Sequence, residues 1–332
     1  AAKKGDTGSA LELLDRIQGA VDEFWVNQAR LVMAELPQAQ VEIWRLERER
    51  DVKSSDQGSL WRALGRWAVL EPDLEELRLL RGLVEAAFSG FGSAKPPSFS
   101  PGLAAELWTM GLEREAARWD PAGWPRGNAV ESAWTASQMM ENGFPWRSTR
   151  VADGAWRQAG SAVPTSVLPE DLRRALYPLP EPVLVREAAT KGGVHWSLLA
   201  GVAREESRWD PRALSVVGAR GLVQLMPSTA VAVAEASGLP ETSADDLFDP
   251  SLNLRLGATE LGRLVDAFGG RWAPAVAAYN AGEVQARLWL DQCGSDCTSA
   301  LYLQNISFGS TRAYTAGVLA AALGYDELYG DR

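Results

Sequence analysis

The stretch VHWSLLAGVAREESRWD, residues 194–210, decides the fold class of the second half of this chain. Its apolar residues recur every three or four positions, which predicts a helix from about His195 to Trp209. Arg204 and Arg208 are predicted to lie on the solvated side of that helix. The opposite face is apolar and is formed by Leu198, Leu199, Val202, Ala203 and Trp209.

Two glutamates, Glu205 and Glu206, stand side by side near the end of this helix. At about 100° per residue, Glu206 falls within about 20° of the centre of the apolar face, whereas Glu205 lies about 80° away, near its edge. Burial disfavours the charged form of a carboxyl group, so we expect the pKa of Glu206 to rise to roughly 6, the range of a general acid. From this helix alone, an ion pair with a buried arginine explains Glu206 equally well.

Helical periodicity also dominates the rest of the chain, and no convincing run of alternating strand residues occurs. The fold class is therefore predicted to be all-α. Loops rich in Pro and Gly near 92–102 and 120–128 separate the helices of the first half, which suggests the stacked helical hairpins of a superhelix or solenoid. The rigid sequence YPLPEP begins at Tyr177, and we place the boundary there, between domains at 1–177 and 178–332.

Composition excludes several classes of function. The formal net charge of −10 argues against nucleic acid as a partner, because phosphate binding depends on Lys and Arg. One histidine and two cysteines offer too few ligands for a zinc site, so we expect no metal and no cofactor. No apolar run approaches the roughly 20 residues of a membrane-spanning helix. The chain starts with AAKKGDTGSA, without Met or a signal-peptide core, and looks like a mature or trimmed product.

Two later segments complete the pattern. The sequence ALSVVGARGLVQLMPSTA, residues 213–230, follows the helix directly, and its Gly218, Ala219 and Gly221 permit close approach of the backbone, as at the floor of a groove. The sequence APAVAAYNAG, residues 273–282, predicts an apolar helix that ends at its last glycine.

Taken together, these motifs resemble the soluble lytic transglycosylases, the lysozyme-like enzymes of glycoside hydrolase family 23. In that family a Glu-Ser pair is followed by a Ser, by Gly-Ala-x-Gly-Leu-Met-Gln-Leu-Met-Pro and by Ala-Tyr-Asn-Ala-Gly. The matching positions here are the pair Glu206-Ser207, Ser215, and the runs that end at Pro227 and Gly282. A Thr-Arg-x-Tyr element of the family matches Thr311, Arg312 and Tyr314.

The resemblance implies an α-rich lysozyme-like domain that cleaves the MurNAc–GlcNAc β-1,4 bond of peptidoglycan without water and leaves a 1,6-anhydro-MurNAc end. Glu206 would be the single acid and base, because the C6 hydroxyl of the muramic sugar replaces water as the nucleophile. Asp210, the nearest alternative second carboxylate, precedes Pro211 and is better explained as a turn residue. The residues implied to contact the substrate are Ser207, Ser215, Gln224, Met226, Tyr279 and Asn280.

The resemblance covers roughly residues 178–325, and the first half is similar to the superhelical domain of the large family members, although no motif supports that part. It implies glycan strands of peptidoglycan as the partner, a bacterial periplasm or cell envelope as the location, and a first half that can contact protein partners. We expect the first half to position the catalytic domain without taking part in the chemistry. A chain starting near Leu179 should then keep some activity.

Three positions depart from the family pattern. Val223 replaces a Met, Ser310 replaces a Glu that contacts the glycan in relatives, and Glu283 stands where a small residue or Pro is usual. The change at Ser310 places affinity or subsite preference in question.

Cys293 and Cys297 are predicted to form a disulfide, because the compartment of peptidoglycan is oxidising and the three residues between them can turn tightly. Two reduced thiols are the alternative, and a regular helix would keep the sulfurs apart.

Two other functions fit part of the pattern. A non-catalytic peptidoglycan-binding or scaffold protein would need no buried acid at Glu206. A lysozyme-type hydrolase would need a second carboxylate that activates water.

Overall fold

The computed structural model of the protein describes residues 103–119, 129–160, 165, 168, 170–238, 242–295 and 297–330. The superhelix predicted for residues 1–177 lies largely outside these ranges, as do the predicted loops near 92–102 and 120–128.

Helices form the regular structure of the described residues, which confirms the predicted all-α fold class. Their bounds are α1 Leu103–Thr109, α2 Glu113–Trp119, α3 Ala129–Glu141, α4 Pro145–Gly160, α5 Glu170–Leu176, α6 Pro182–Gly192, α7 Trp196–Ser207, α8 Pro227–Ala236, a 3-10 turn Asp245–Phe248, α9 Pro250–Ala267, α10 Trp272–Ala281, α11 Glu283–Cys293, α12 Ser299–Asn305 and α13 Gly309–Tyr329. Within the described ranges the β-type pairing consists of two isolated bridges, from Arg220 to Leu214 and to Leu225. None of the described helices is long and apolar enough to cross a membrane.

The described residues divide into two compact units between Leu176 and Tyr177. In the first unit α1 packs on α2 and α3 packs on α5, and the rings of Trp108 and Trp134 meet edge to face at 5.2 Å. The second unit holds α6 to α13 together with residues 145–149. All of the site residues predicted from the sequence lie in this second unit.

The helix predicted around the two glutamates is α7, and its apolar face is confirmed. The residues of that face are at most 1% exposed: Leu198, Leu199, Val202, Ala203 and Trp209. The helix is shorter than predicted because Arg208 and Trp209 have positive φ angles, of 52° and 69°. Their N–H groups bond back to the last turn, at 3.0 Å from Arg208 to Arg204 and 3.4 Å from Trp209 to Ala203, which ends the helix.

Helices of the second unit approach one another closely at glycines. α7 packs along α13, and a β-carbon on Gly201 would lie only 2.6 Å from the carbonyl oxygen of Val318. α6 packs on α9 in the same way, with Gly192 facing Ala258 and Gly262 facing the Gly192 carbonyl. A larger side chain at these positions would push the helices apart.

α10 is the predicted apolar helix, with Ala273–Ala278 all buried, and it ends at Gly282, whose φ is 87°. α11 follows at once and ends at Cys293. Gly294, with a φ of 83°, turns the chain out of the helix, and a disulfide joins Cys293 to Cys297 with their Cα atoms 5.3 Å apart.

Candidate active site

Glu206 lies in the last turn of α7 and is half-buried. Burial raises the pKa of its carboxyl group from 4.5 to about 7, and the charge of Glu205 adds to the rise. The predicted increase in pKa is confirmed in direction, and the value lies somewhat above the expected one. At neutral pH such a carboxyl group is in part protonated and can act as a proton donor.

Two tyrosines from other helices lie beside Glu206. Burial and the charge of Glu206 raise the pKa of Tyr279, on α10, and of Tyr314, on α13, well above the ordinary value. The Tyr314 hydroxyl faces the Glu206 carboxyl and lowers its pKa, although that hydroxyl makes no hydrogen bond of standard geometry with any described residue. Three helices therefore converge on one carboxyl group.

Glu205 has different surroundings from its neighbour. Its carboxylate forms an ion pair with the guanidinium of Arg204, and the side chains are 24% and 14% exposed. The Arg204 guanidinium also lies over the ring of Tyr177, 5.1 Å from its centroid. The prediction that Arg204 lies on the solvated side of α7 is wrong, because Tyr177 and α13 cover that side as well. The ion pair considered for Glu206 exists at Glu205 instead.

Ser207 ties the end of α7 to the segment that follows. Its hydroxyl lies 2.7 Å from the carbonyl oxygen of Leu222 and 3.1 Å from that of Ala203, and it accepts a hydrogen bond from the N–H of Trp209 at 3.1 Å. Because its one hydrogen is committed to these carbonyl groups, the geometry favours a positioning role for Ser207 over direct contact with a substrate.

The segment from 208 to 226 is a folded loop with its own hydrogen bonds. Ser215 closes one turn, since its hydroxyl accepts from the N–H of Ala219 at 2.9 Å. The Gln224 amide donates to the carbonyl oxygens of Ala213 and Gly221, at 3.1 and 2.9 Å, and Gln224 has a positive φ of 47°. Ser215 and Gln224 thus belong to one compact loop.

The glycines of this loop do not act alike. Gly221 has a φ of 78°, and a β-carbon there would overlap Leu247 and Asn253, so the predicted close approach is confirmed at Gly221. Gly218 has a φ of 92° but open space around it, so it serves the turn alone.

Asn253, on α9, holds the loop in place. Its role was not predicted from the sequence. It is fully buried, and its side chain accepts from the N–H of Val223 at 2.9 Å and donates to the carbonyl oxygen of Arg220 at 3.0 Å. The hydroxyl of Tyr279 donates to the carbonyl oxygen of Val223 at 2.9 Å. An asparagine at a core position of an amphipathic helix is the sequence feature that could have identified Asn253.

Asn280 and Met226 are more open. The Asn280 side chain is exposed and accepts a hydrogen bond from Thr311 at 2.8 Å, which links α10 to the start of α13. Met226 precedes α8 and is 38% exposed. Ser310 and Arg312 are exposed beside Thr311.

Two further predicted positions have clear structural roles. Asp210 accepts a hydrogen bond from the N–H of Arg212 at 2.9 Å, which confirms it as a turn residue. Glu283 pairs with Arg263 at 2.9 Å and with Arg287 at 2.6 Å, so it joins α9 to α11. Among the described residues no group of three or more His, Cys, Asp or Glu side chains is arranged to hold a metal ion.

Comparison with known proteins finds one family model that resembles part of the chain. Residues 183–301, which contain Glu206, Gln224 and Tyr279, match the family described as the transglycosylase SLT domain. This part of the chain is similar to that family. The matched segment contains the carboxyl group with the raised pKa.

Two curated proteins are similar to longer or shorter parts of the chain. The soluble lytic murein transglycosylase of Escherichia coli strain K12 is 27% identical over 303 residues, which are 87% of this chain and 46% of that protein. A soluble lytic murein transglycosylase of Salmonella typhimurium is 35% identical over 134 residues, 40% of this chain and 20% of that protein. The chain thus spans about half the length of the Escherichia coli relative.

A solved structure has the same fold. The 70 kDa soluble lytic transglycosylase SLT70 of Escherichia coli aligns with 99% of this chain and 61% of its own, with a TM-score of 0.58 and 20% sequence identity. At that level of identity the likeness shows the fold alone.

Proposed function

We propose that this chain is a peptidoglycan lytic transglycosylase that cleaves the MurNAc–GlcNAc β-1,4 bond and leaves a 1,6-anhydro-MurNAc end. The observation that carries the proposal is the Glu206 carboxyl group. It is half-buried at the end of α7, its pKa is raised to about 7, and the hydroxyl of Tyr314 faces it. A carboxyl group in this state can both donate and accept a proton near neutral pH.

The reaction needs one carboxyl group in two steps. Protonated Glu206 donates its proton to the glycosidic oxygen as the bond from that oxygen to C1 of MurNAc breaks, and the N-acetyl oxygen stabilises the positive charge at C1. The Glu206 carboxylate then takes the proton of the C6 hydroxyl while O6 bonds to C1. The carboxyl group ends in its starting state, and no water is consumed.

The surroundings of the two carboxyl groups nearest to Glu206 in sequence favour this mechanism over hydrolysis. Glycosidases that use water carry a second carboxylate as nucleophile or base. Glu205 is engaged by Arg204, and Asp210 caps a turn through Arg212. The two acidic residues nearest to Glu206 in sequence are thus committed to structural contacts.

The glycan groove, in this proposal, is lined from three elements. Ser215 and Gln224 present the loop after α7, Met226 stands at the start of α8, and Tyr279 and Asn280 come from the end of α10. The hydroxyl of Tyr279 donates to the carbonyl oxygen of Val223 and holds the end of α10 against the loop, and the hydroxyl of Thr311 on α13 donates to Asn280. Tyr279 and Ser215 would orient the N-acetyl group and the Glu206 carboxyl group.

Location and organisation belong to the same proposal. A substrate of glycan strands places the protein in a bacterial periplasm or cell envelope, where a disulfide between Cys293 and Cys297 is stable. The first half, with a boundary near Tyr177, would be a superhelix that positions the SLT domain and offers a surface to protein partners.

The test is product analysis of purified sacculi digested with the full chain. We expect muropeptides with 1,6-anhydro ends, which are lighter by one water molecule than the products of hydrolysis. When the digestion is repeated in water labelled with oxygen-18, the new ends should carry no label. Glu206→Gln should release almost nothing, and Glu205→Gln serves as the matched control with the same change of charge one residue away.

Other results would replace the proposal. Reducing ends that carry oxygen-18 would show a hydrolase of the lysozyme type. Binding to sacculi without release of fragments would show a non-catalytic peptidoglycan-binding protein.

A further inference from the structure

Glu205 lies in the interface between α7 and α13. Its side chain is 24% exposed, and the side chain of its partner Arg204 is 14% exposed. Two side chains of opposite charge are therefore mostly buried directly beside Glu206. Such a pair is expensive to bury and needs well-defined surroundings to remain in place.

Gly317, on α13, provides the space that the Glu205 carboxylate occupies. A β-carbon on Gly317 would lie 2.8 Å from Oε2 and 2.9 Å from Cδ of Glu205. The φ angle of Gly317 is not positive, so the backbone there does not require glycine. The missing side chain matters because the carboxylate rests against the helix backbone.

The contact lies between two helices at the catalytic end of α7. One turn earlier on α7, Gly201 approaches the carbonyl oxygen of Val318, so the two helices are close at the backbone there, and at the next turn the Glu205 side chain fills the space against Gly317. Tyr314 lies three residues before Gly317, on the same side of α13. A shift of the Glu205 side chain away from Gly317 would therefore move the end of α7, and with it the Glu206 carboxyl group, relative to this part of α13.

We propose that Glu205 is a positioning residue for Glu206. Seated on Gly317 and held by Arg204, it fixes the end of α7 against α13 and thereby sets the position of the Glu206 carboxyl group. The inference rests on the proposed function, in which Glu206 is the acid.

The charges around Glu206 agree with this arrangement. Glu205 on α7 and Tyr314 on α13 act on the pKa of Glu206, and the charge of Glu206 in turn raises the pKa of Tyr279 on α10. The negative charge of Glu205 raises the pKa of both Glu206 and Tyr314. Removing that charge while keeping the shape should therefore lower the pKa of Glu206.

The steric test is Gly317→Ala, with Gly309→Ala on the same helix as its control. A β-carbon on Gly309 would meet nothing within 4 Å, so this variant adds the same methyl group without a clash. We expect Gly317→Ala to lower kcat about tenfold or more with little change in KM, because small displacements of catalytic groups act on the chemical step. If both variants have the same kcat, the inference is overturned.

A second substitution tests whether the effect passes through Glu205. In the double variant Gly317→Ala with Glu205→Ala, the new methyl group occupies the place of the removed carboxylate. We expect its kcat to exceed that of Gly317→Ala alone. A kcat equal to the product of the two separate effects would show independent sites and would overturn the inference.

Glu205→Gln tests the inference without adding volume, and it decides the matter if Gly317→Ala fails to fold. Because the carboxamide keeps the shape that rests on Gly317, its kcat at the optimum should fall less than that of Gly317→Ala, and the alkaline limb of its pH–rate profile should move to lower pH. An unchanged limb would count against the inference.

Failure of the proposed function is recognised separately. If the wild-type chain releases nothing from sacculi, that function is wrong. The pKa of Glu206, measured by carbon-13 NMR of labelled carboxyl groups, then decides the positioning role. A shift in Gly317→Ala that is absent from Gly309→Ala supports it, and equal values overturn it.

Discussion

The two glutamates in the last turn of α7, Glu206 and Glu205, have opposite electrostatic surroundings. On the side of Tyr279 and Tyr314, the carboxyl group of Glu206 has no counter-charge among the groups that shift its pKa, and burial raises that pKa to about 7. On the side of Gly317, the carboxylate of Glu205 is buried together with the guanidinium of Arg204. Burial thus turns a glutamate into a proton donor near neutral pH only where no opposite charge compensates its carboxylate.

The largest expected difference between the two sides is in activity. Glu206→Gln keeps the shape of the side chain but removes the transferable proton, so turnover should fall by at least about two to four orders of magnitude. Glycan binding should survive. Glu205→Gln should change turnover at the optimum only slightly. Release of muropeptides by each variant checks the prediction, and a dead Glu205→Gln beside an active Glu206→Gln would reverse the comparison.

On the Glu205 side, the packing of Tyr177 should affect the stability of the protein more than its turnover. This ring is 3% exposed, rests on Gly324 and lies under the Arg204 guanidinium. Tyr177→Ala should lower the free energy of unfolding by about 3–5 kcal/mol, the usual effect of removing a buried aromatic ring. Turnover of the folded fraction should stay within about a few fold of the wild type.

Urea denaturation and initial rates at low temperature measure the two quantities. A loss of turnover as large as that of Glu206→Gln would show that the two sides are not separable. Tyr329 and Tyr325 also donate hydrogen bonds to the carbonyl oxygens of Tyr177 and Pro178, at 3.0 and 2.9 Å. A shortened chain should therefore begin before Tyr177, rather than near Leu179.

The pH dependence of stability should also separate the glutamates. The folded-state pKa of Glu206, about 7, lies above its ordinary value of 4.5, so the folded protein holds this proton more tightly than the unfolded chain. The resulting stability is present below about pH 4.5 and is lost as the pH rises to about 7. Glu206→Gln should therefore be the more stable protein at pH 8, by at most about 3 kcal/mol.

Urea denaturation of the wild type and the variant at pH 4.5 and pH 8 gives the difference. Glu205→Gln is the control, and it should be less stable than the wild type at pH 8, because Arg204 loses its charged partner. Equal stability of Glu206→Gln and the wild type at both pH values would contradict the raised pKa.

The smallest effect is expected from the Tyr314 hydroxyl. That group lowers the pKa of Glu206, so Tyr314→Phe should raise this pKa further. Because the acid must be protonated to act, the alkaline limb of the pH–rate profile should move to higher pH by less than about one unit. Tyr302→Phe is the control, since the Tyr302 hydroxyl donates to the carbonyl oxygen of Ala286, away from Glu206. An alkaline limb that moves equally in both variants would show that the Tyr314 hydroxyl does not act on Glu206.

Local sequence was sufficient wherever a local pattern determines the structure. Periodicity identified α7 and its buried face, a glycine marked the end of α10, and an Asp-Pro pair marked the turn at Asp210. The same helical periodicity placed Glu206 on the apolar side of α7 and so predicted its raised pKa. These features depend on residues that are neighbours in the chain.

Local sequence failed where a distant segment supplies the partner. Helical periodicity placed Arg204 in solvent, because nothing within α7 shows that the Arg204 guanidinium packs on the ring of Tyr177. Asn253, which fastens the loop after α7, belongs to a helix about thirty residues away and was not identified. Gly317 was missed for the same reason.

The sequence by itself thus determined that the chain is helical, that one helix carries a glutamate on its apolar face, and which motifs surround that glutamate. Only the tertiary structure decided the surroundings of each carboxyl group, because Tyr279 of α10 and Tyr314 of α13 lie beside Glu206, whereas Glu205 rests on Gly317 of α13 with its neighbour Arg204 as its partner. A helical period fixes the direction of a side chain relative to its own helix. The charge state of that side chain depends on what the other helices place opposite it.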